Sequence, residues 1–201
     1  MGGGSRTTVR VLVATAIWLG LAIAAGGLGL LEGLRPPLPQ AILVALTLAL
    51  LAGFRWSGPF RGWALAVDIR ALVLIHVTRF VGIYFLALHR RGELPWAFAV
   101  PGGWGDIVVA TGAILVAGLA PRRGRAGRAA YRAWNLIGLA DILLVVATAG
   151  RLGLADPTSM RALSVLPLSL LPTFLVPIII ASHAAIAARL GWSRGDVASP
   201  L

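Results

Sequence analysis

Long uninterrupted stretches of apolar residues are the feature that most restricts how this chain can fold. Six stretches meet or approach the roughly 20 residues that a helix needs to cross a ~30 Å hydrocarbon core. They predict spans at residues 9–31, 38–54, 64–88, 104–120, 131–150 and 165–190. Runs this long lack the period-two alternation of membrane barrel strands. The sequence therefore predicts an all-α, polytopic membrane helix bundle, with residues 1–201 forming a single integral membrane domain.

Two regions of the predicted bundle are irregular. Residues 92–103 combine two prolines with several glycines, which predicts an interfacial or re-entrant segment before the fourth span. Asp106 then lies in the first turn of that span, where the helix dipole favours a carboxylate. In the last span Pro172 and Pro177 each lack a backbone donor, so we expect a kink and free carbonyl oxygens near mid-membrane.

The distribution of arginines predicts the orientation of the bundle. With six spans and an inner N-terminus, eleven arginines fall in segments on the cytoplasmic side and five on the opposite side. Both termini are therefore predicted to be cytoplasmic, in the plasma (inner) membrane. The loop from Arg122 to Arg132 then faces anionic lipid, and we expect no nucleic-acid partner because no base-reading module surrounds it.

An alternative interpretation removes the first span. Arg6 and Arg10, the apolar run after them and the pattern Ala22-Ile23-Ala24 together resemble a cleavable secretory signal. The apolar run is longer than the ~7–15 residues usual for such signals. Cleavage would leave five spans and would change the predicted sidedness.

Missing residue types exclude several cofactors. The chain has no lysine, so it cannot form a Schiff base with retinal or pyridoxal phosphate. It has no cysteine either, which excludes disulfides, iron–sulfur clusters and covalently attached c-type haem.

Polar side chains inside the predicted spans are the candidate functional residues. An ionisable group at the bilayer centre costs at least ~2.5–3.5 kcal/mol, so its presence requires a cause. The candidates for a pathway or polar core are Asp68, His76, Arg79, Asp106, Asn135, Asp141 and His183.

Helical geometry predicts how these groups are arranged. At 100° per residue, Asp68, His76 and Arg79 share one face of a continuous third span. A rise of ~1.5 Å per residue puts His76 and Asp141 near the midplane, and Asn135 and His183 about 9 Å closer to the cytoplasm. Arg79 falls between the heights of Asp141 and Asp106. We therefore expect a polar column rather than a compact cluster.

Chains of titratable groups are typical of proton and ion pathways, which favours a small ion- or proton-coupled transporter or a channel-like protein. Six short helices enclose little volume, so a homo-oligomer is expected. The structural alternative is that Arg79 neutralises Asp141 or Asp106 in a buried pair that serves only helix packing. The chain would then be a scaffold or assembly subunit without chemistry of its own.

Two further alternatives require a cofactor. A membrane redox protein would hold b-type haem between His76 and His183, although the predicted 9 Å difference in depth opposes this arrangement. A membrane enzyme acting on a lipid would use Asp106 and Asp141 with a metal, but no dense acidic or paired-histidine motif supports it.

The orientation generates a prediction. Green fluorescent protein at the C-terminus should fluoresce, because it folds in the cytoplasm, and alkaline phosphatase inserted beside Glu93 should be active. The matched insertion beside Arg125 should be inactive. The reverse pattern of the two phosphatase insertions would contradict the predicted sidedness.

Overall fold

A computed structural model describes residues 3–121 and 124–191 of the chain, and these residues are almost entirely helical. The α-helices are α1 (Gly3–Gly27), α2 (Leu38–Trp56), α3 (Gly58–Ala66), α4 (Ile69–Leu74), α5 (Val81–Arg90), α6 (Trp96–Leu119), α7 (Gly124–Ala155) and α8 (Val176–Arg189). Two 3₁₀ helices, Ile75–Phe80 and Pro157–Ser164, and one π-helical segment, Leu171–Leu175, connect some of them. No strand occurs within the described ranges, so the predicted all-α class is confirmed.

Six helical segments are long and apolar enough to cross a membrane, which fits an integral membrane protein. They are Ser5–Gly27, Leu38–Trp56, Ile69–Arg90, Trp96–Leu119, Gly124–Ala155 and Leu171–Arg189. Large apolar side chains such as Leu12, Ile17 and Leu21 are at least 60% exposed, as expected for surfaces that face lipid. Of the arginine-rich loop, Arg122 and Arg123 lie outside the described residues.

Helices α6 and α8 form the centre of the bundle. α6 packs against α4, α5, α7 and the 3₁₀ helix Ile75–Phe80, and α8 packs against α2, α3, α4 and α7. α1 is peripheral, since its main contacts are with α3 and the π-helical segment. The polar residues of the spans therefore converge where α6, α7 and α8 meet the third span.

The third span differs from its prediction as one helix over residues 64–88. The chain leaves the helical conformation at Val67, and Asp68 starts a new helix because its Oδ1 accepts a hydrogen bond from the backbone N–H of Arg70 at 2.7 Å. The span then tightens into the 3₁₀ helix Ile75–Phe80 before α5. Both changes alter the angular and axial positions that a straight α-helix would impose.

The fourth and sixth spans also begin at other residues than predicted. α6 starts at Trp96 and continues through Pro101, so most of the segment 92–103 is regular helix rather than a re-entrant turn. The sixth span starts at Leu171 rather than at 165, because residues 165–169 form a bend and turns. Before it, Asp156 begins the 3₁₀ helix Pro157–Ser164, and the Thr158 hydroxyl that donates to this exposed carboxyl holds its pKa below the usual value.

The carbonyl group that Pro177 leaves without a helical hydrogen bond accepts one from another helix. Pro177 has no N–H to donate to the carbonyl oxygen of Thr173, four residues earlier. Trp18 of α1 donates its indole N–H to that oxygen at 2.9 Å and packs edge-on against Phe174. Tryptophan, rather than a cation, satisfies this carbonyl in the described structure.

Glycines allow a close helix approach between α5 and α6. A Cβ atom at Gly103 would lie 2.8 Å from the carbonyl oxygen of Gly82, and one at Gly82 would collide with the carbonyl oxygen of Gly103. Small residues at such contacts let helix backbones approach in a membrane. This contact brings Asp106, one turn further along α6, next to the 3₁₀ helix that precedes α5.

The contact between α5 and α6 generates a second prediction. Gly82→Ala should destabilise the protein by about 1–3 kcal/mol, because the added methyl group forces the two backbones apart. Gly118→Ala on α6 is the matched control, since a Cβ there meets nothing within 4 Å. Thermal unfolding in detergent measures both variants, and equal effects would contradict the close packing.

Candidate functional site

Three charged side chains from three spans meet inside the bundle, and we call Arg79, Asp106 and Asp141 the charged cluster. The Arg79 side chain is 1% exposed, and its Nε donates to Asp106 Oδ1 at 2.6 Å. Its Nη2 donates to Asp141 Oδ2, and its Nη1 donates to the carbonyl oxygen of Gly138 at 3.0 Å. One guanidinium thus links the third span to both α6 and α7.

Glycines make room for this cluster. A Cβ atom at Gly105 of α6 would collide with the carboxylate of Asp141, so only glycine lets Asp141 reach Arg79 from α7. Gly138 lies one turn before Asp141 on the same helix face and supplies its carbonyl oxygen. The sequence prediction missed both glycines. Their spacing relative to the two aspartates, Gly105 beside Asp106 and Gly138 three residues before Asp141, was the available signal.

Two histidines pack together beside the charged cluster, and we call His76 and His183 the histidine pair. Both are fully buried, and their ring centroids lie 4.3 Å apart. The ring of Trp134 contacts both, edge-on to His76 at 4.9 Å and tilted to His183 at 5.7 Å. A Cβ atom at Gly138 would lie 2.8 Å from His183 Cε1, so the pair directly adjoins the backbone that Arg79 binds.

Hydrogen bonds assign the tautomers of this pair. Ser182 donates its hydroxyl proton to the carbonyl oxygen of Ile179 at 2.7 Å, so His76 Nε2 donates to Ser182 Oγ at 2.9 Å. Asn135 donates its amide N–H to the carbonyl oxygen of His183. His183 Nδ1 therefore donates to Asn135 Oδ1 at 2.8 Å. Each ring keeps one buried nitrogen with a lone pair, and neither nitrogen has a partner among the described residues.

Of the predicted candidates, Asp68 lies apart from the others. It is exposed and serves as the N-terminal cap of α4. The prediction that it shares a helix face with His76 and Arg79 is wrong, because the break at Val67 interrupts the helix on which the angle was calculated. The other six candidates all join the charged cluster or the histidine pair.

The predicted polar column is instead a compact group. The separation of about 9 Å in depth between His76 and His183 was calculated from straight helices, but their rings are in contact. The 3₁₀ helix Ile75–Phe80 rises ~2.0 Å per residue rather than ~1.5 Å, and the π-helical segment Leu171–Leu175 interrupts the sixth span below α8. The bounds of the two spans account for most of the error: with the third span at Ile69–Arg90 and the sixth at Leu171–Arg189, the same rise of ~1.5 Å per residue puts both histidines at nearly the same height.

The geometry does not fit b-type haem between His76 and His183. Axial ligands bind iron from opposite faces of the macrocycle, so their ring centres are separated by two metal–nitrogen bonds of ~2 Å plus the distance from each nitrogen to its ring centre. A separation of 4.3 Å leaves no space for the macrocycle. The metal-dependent alternative gains no support either, because both Asp106 and Asp141 bind Arg79 and no group of three metal-binding side chains occurs within the described ranges.

A cavity of about 620 Å³ leads to the charged cluster, and we call it the apolar cavity. Arg79 and Asp106 line its inner end, and Gln40 and Arg151 line it at the level where α2 begins and α7 ends. Between these two ends the wall is mainly aliphatic and aromatic, including Leu43, Phe85, Phe98, Ile142, Val145, Val146, Leu171 and Ile179. The sequence prediction did not include this cavity.

The charged cluster, the histidine pair and the apolar cavity all lie in a region shared with other proteins. A family model described as a domain of unknown function (DUF8737) matches residues 36–191, so that among the described residues only α1 and the loop after it lie outside the match. No curated protein and no solved structure matches the chain.

The charged cluster generates a third prediction. Arg79→Met should destabilise the protein by about 3–5 kcal/mol, because it leaves two carboxylates without their counter-charge. Adding Asp106→Asn and Asp141→Asn to that variant should recover part of the loss, since neutral amides need no counter-charge. Unfolding in detergent measures the change.

The control for this prediction is Arg161→Met. Arg161 is exposed and lies 3.4 Å from Glu32, so its loss should cost no more than about 1 kcal/mol. Equal effects of Arg79→Met and Arg161→Met would contradict a buried role for the cluster.

Proposed function

We propose that this chain, which belongs to the DUF8737 family, is a small ion- or proton-coupled membrane carrier whose coupling site is the charged cluster. The observation that carries the proposal is that one guanidinium binds two carboxylates inside the bundle. The histidine pair and the apolar cavity lie on either side of this cluster and give it two possible routes of access.

The charge balance of the cluster favours an exchangeable ion. Arg79 supplies one positive charge, and Asp106 and Asp141 supply two negative charges when both are ionised. A surplus negative charge is costly in a region shielded from water. Binding of one proton or one monovalent cation would neutralise this surplus charge. The bound ion can be released when another positive charge takes its place.

The surroundings of the cluster favour access from one side at a time. On α7 the cavity-lining residues begin at Ile142, just beyond Asp141, whereas Asn135 and the histidine pair lie in the opposite direction. On that opposite side a packed core closes the path, including Val73, Val109, Tyr131, Trp134 and Ile186. This asymmetry is what an alternating-access carrier requires in one of its two states.

Two irregular segments next to the cluster could allow the change between states. Arg79 lies in the 3₁₀ helix Ile75–Phe80, and the cavity wall includes the π-helical segment Leu171–Leu175. Such segments often mark hinges or functional sites, because their hydrogen bonds can shift register at small cost. A rearrangement there would open the side of the histidine pair while closing the cavity.

One alternative remains supported by the same contacts. Arg79 joins the third span to α6 and α7, so the cluster could act only as packing in a scaffold or assembly subunit. The two functions differ in one measurable property. A carrier must exchange the ion on the cluster, whereas a scaffold needs no exchange.

Infrared difference spectra of the protein in liposomes test this proposal. The wild type should show the C=O stretch of one protonated carboxyl that disappears as the pH is raised. Asp106→Asn and Asp141→Asn should each abolish or shift this band, because both carboxyls share the proton with Arg79. A band that responds to Na⁺ concentration rather than to pH would identify a metal cation as the coupling ion.

Glu93→Gln is the matched control, since Glu93 is an exposed carboxyl remote from the cluster. The band assigned to the cluster should be the same in this variant as in the wild type, with only the contribution of the exposed Glu93 carboxyl removed. Spectra that respond to neither pH nor Na⁺ in the wild type, or that the two Asn variants leave unchanged, would contradict the carrier and leave the scaffold.

A further inference from the structure

We infer that the apolar cavity binds an apolar molecule that carries a single positive charge, and that this molecule competes with the coupling proton for the charged cluster. The binding site is inferred from the cavity and its charges alone. The competition rests on the proposed function, because it requires that the cluster also binds a proton.

The size and lining of the cavity fit a small organic ligand. Its volume of about 620 Å³ lies within the ~300–1,000 Å³ typical of small-molecule sites. Its wall is mostly apolar with a few polar groups at the two ends, which is also typical of such sites. A hydrated ion would not be stable against these aliphatic side chains, so the ligand itself must be largely apolar.

The charge at the inner end selects a cation. Asp106 lines the cavity and is 3% exposed, and only its Oδ1 accepts a hydrogen bond from a described residue. Its second carboxylate oxygen therefore remains available to a ligand. Because the cluster carries a surplus negative charge, an anionic ligand would be repelled, whereas a cation would balance the charge.

Aromatic side chains in the wall between the two ends favour the same choice. Phe85 and Phe98 both line the cavity and are almost fully buried, with ring centroids 5.1 Å apart. The face of an aromatic ring attracts a cation, more strongly where water is excluded. Ring surface that a ligand reaches in this wall would thus favour a cation over an anion.

The groups at the outer end are compatible with passage of a cation. Gln40 Oε1 is buried there without a hydrogen-bond partner among the described residues, and this oxygen can accept from a ligand N–H group or attract positive charge. Arg151 also lines that end and is charged, but it is exposed, so water and lipid headgroups screen its charge.

The surplus charge also determines the stoichiometry. One negative charge can be balanced by one proton or by one monovalent cation, but not by both at once. Binding of the cation to the cavity should therefore release one proton from the cluster. The carrier would exchange one apolar cation for one proton, with no net charge moved.

Binding of two probes of matched size and opposite charge tests the inference. Tetraphenylphosphonium is a cation, and tetraphenylborate is an anion of nearly the same shape. We expect saturable binding of tetraphenylphosphonium to the protein in nanodiscs, at least about tenfold tighter than that of tetraphenylborate. The binding should release about one proton per site in weakly buffered solution.

Variants distinguish the contribution of the Asp106 charge to cation binding from the contribution of the cavity space. Asp106→Asn should weaken binding of the cation at least about tenfold, and Glu93→Gln should leave it unchanged. Val146→Trp should also reduce binding, because Val146 lines the cavity and the larger side chain fills it. Val108→Trp is its matched control, since Val108 is 61% exposed and does not line the cavity.

The possible failures are distinguishable. Binding of tetraphenylborate that is as tight as that of tetraphenylphosphonium or tighter, or binding of the cation that Val146→Trp leaves unchanged, indicates partition into the lipid and overturns the inference. No binding of the cation in a protein whose infrared spectrum shows the exchangeable proton also overturns the inference, while the proposed function stands. Binding without proton release supports the cation site and contradicts the proposed coupling.

Discussion

The packing of the bundle depends on a single guanidinium, which is surrounded by protein within helices whose outer surfaces are apolar. Arg79 is almost fully buried and makes three hydrogen bonds, to two carboxylates and to one backbone carbonyl on α7. Because an unpaired charge is so costly there, the three helices that supply these groups must remain in register with one another. The glycine contacts of α5 with α6, and of Gly105 with Asp141, follow from that requirement.

The cluster also divides the interior into two regions of different character. One region is the apolar cavity, which reaches Arg79 and Asp106 from the end where α2 begins. The other is the closely packed histidine pair, in which both rings keep an unpartnered nitrogen among the described residues. The charged cluster thus separates the open apolar cavity from the closed region of the histidine pair, as a gate in a transport route does. This position is the physical basis of the proposed carrier.

The sequence alone was sufficient to predict the all-α class and most of the residues that form the charged cluster and the histidine pair. Apolar length predicted six helices, and the rise per residue placed Arg79 between the heights of Asp106 and Asp141, both of which it binds. Prediction failed where the chain departs from a straight α-helix. Asp68 caps a new helix after the break at Val67, and the contact between His76 and His183 was missed because the third and sixth spans begin later in the chain than their apolar runs indicated. The cavity could not be predicted, since it arises from the distance between α2 and α7, and that distance is a tertiary property.

One arginine binds both carboxylates inside the bundle, and solid-state NMR measures this contact most directly. Protein with ¹⁵N-arginine and ¹³C-aspartate in liposomes should show strong dipolar coupling between guanidinium nitrogens and two carboxyl carbons. Asp106→Asn and Asp141→Asn should each remove one of these couplings, and Arg79→Met should remove both. Couplings that persist in Arg79→Met, or a wild-type spectrum without them, would contradict the account.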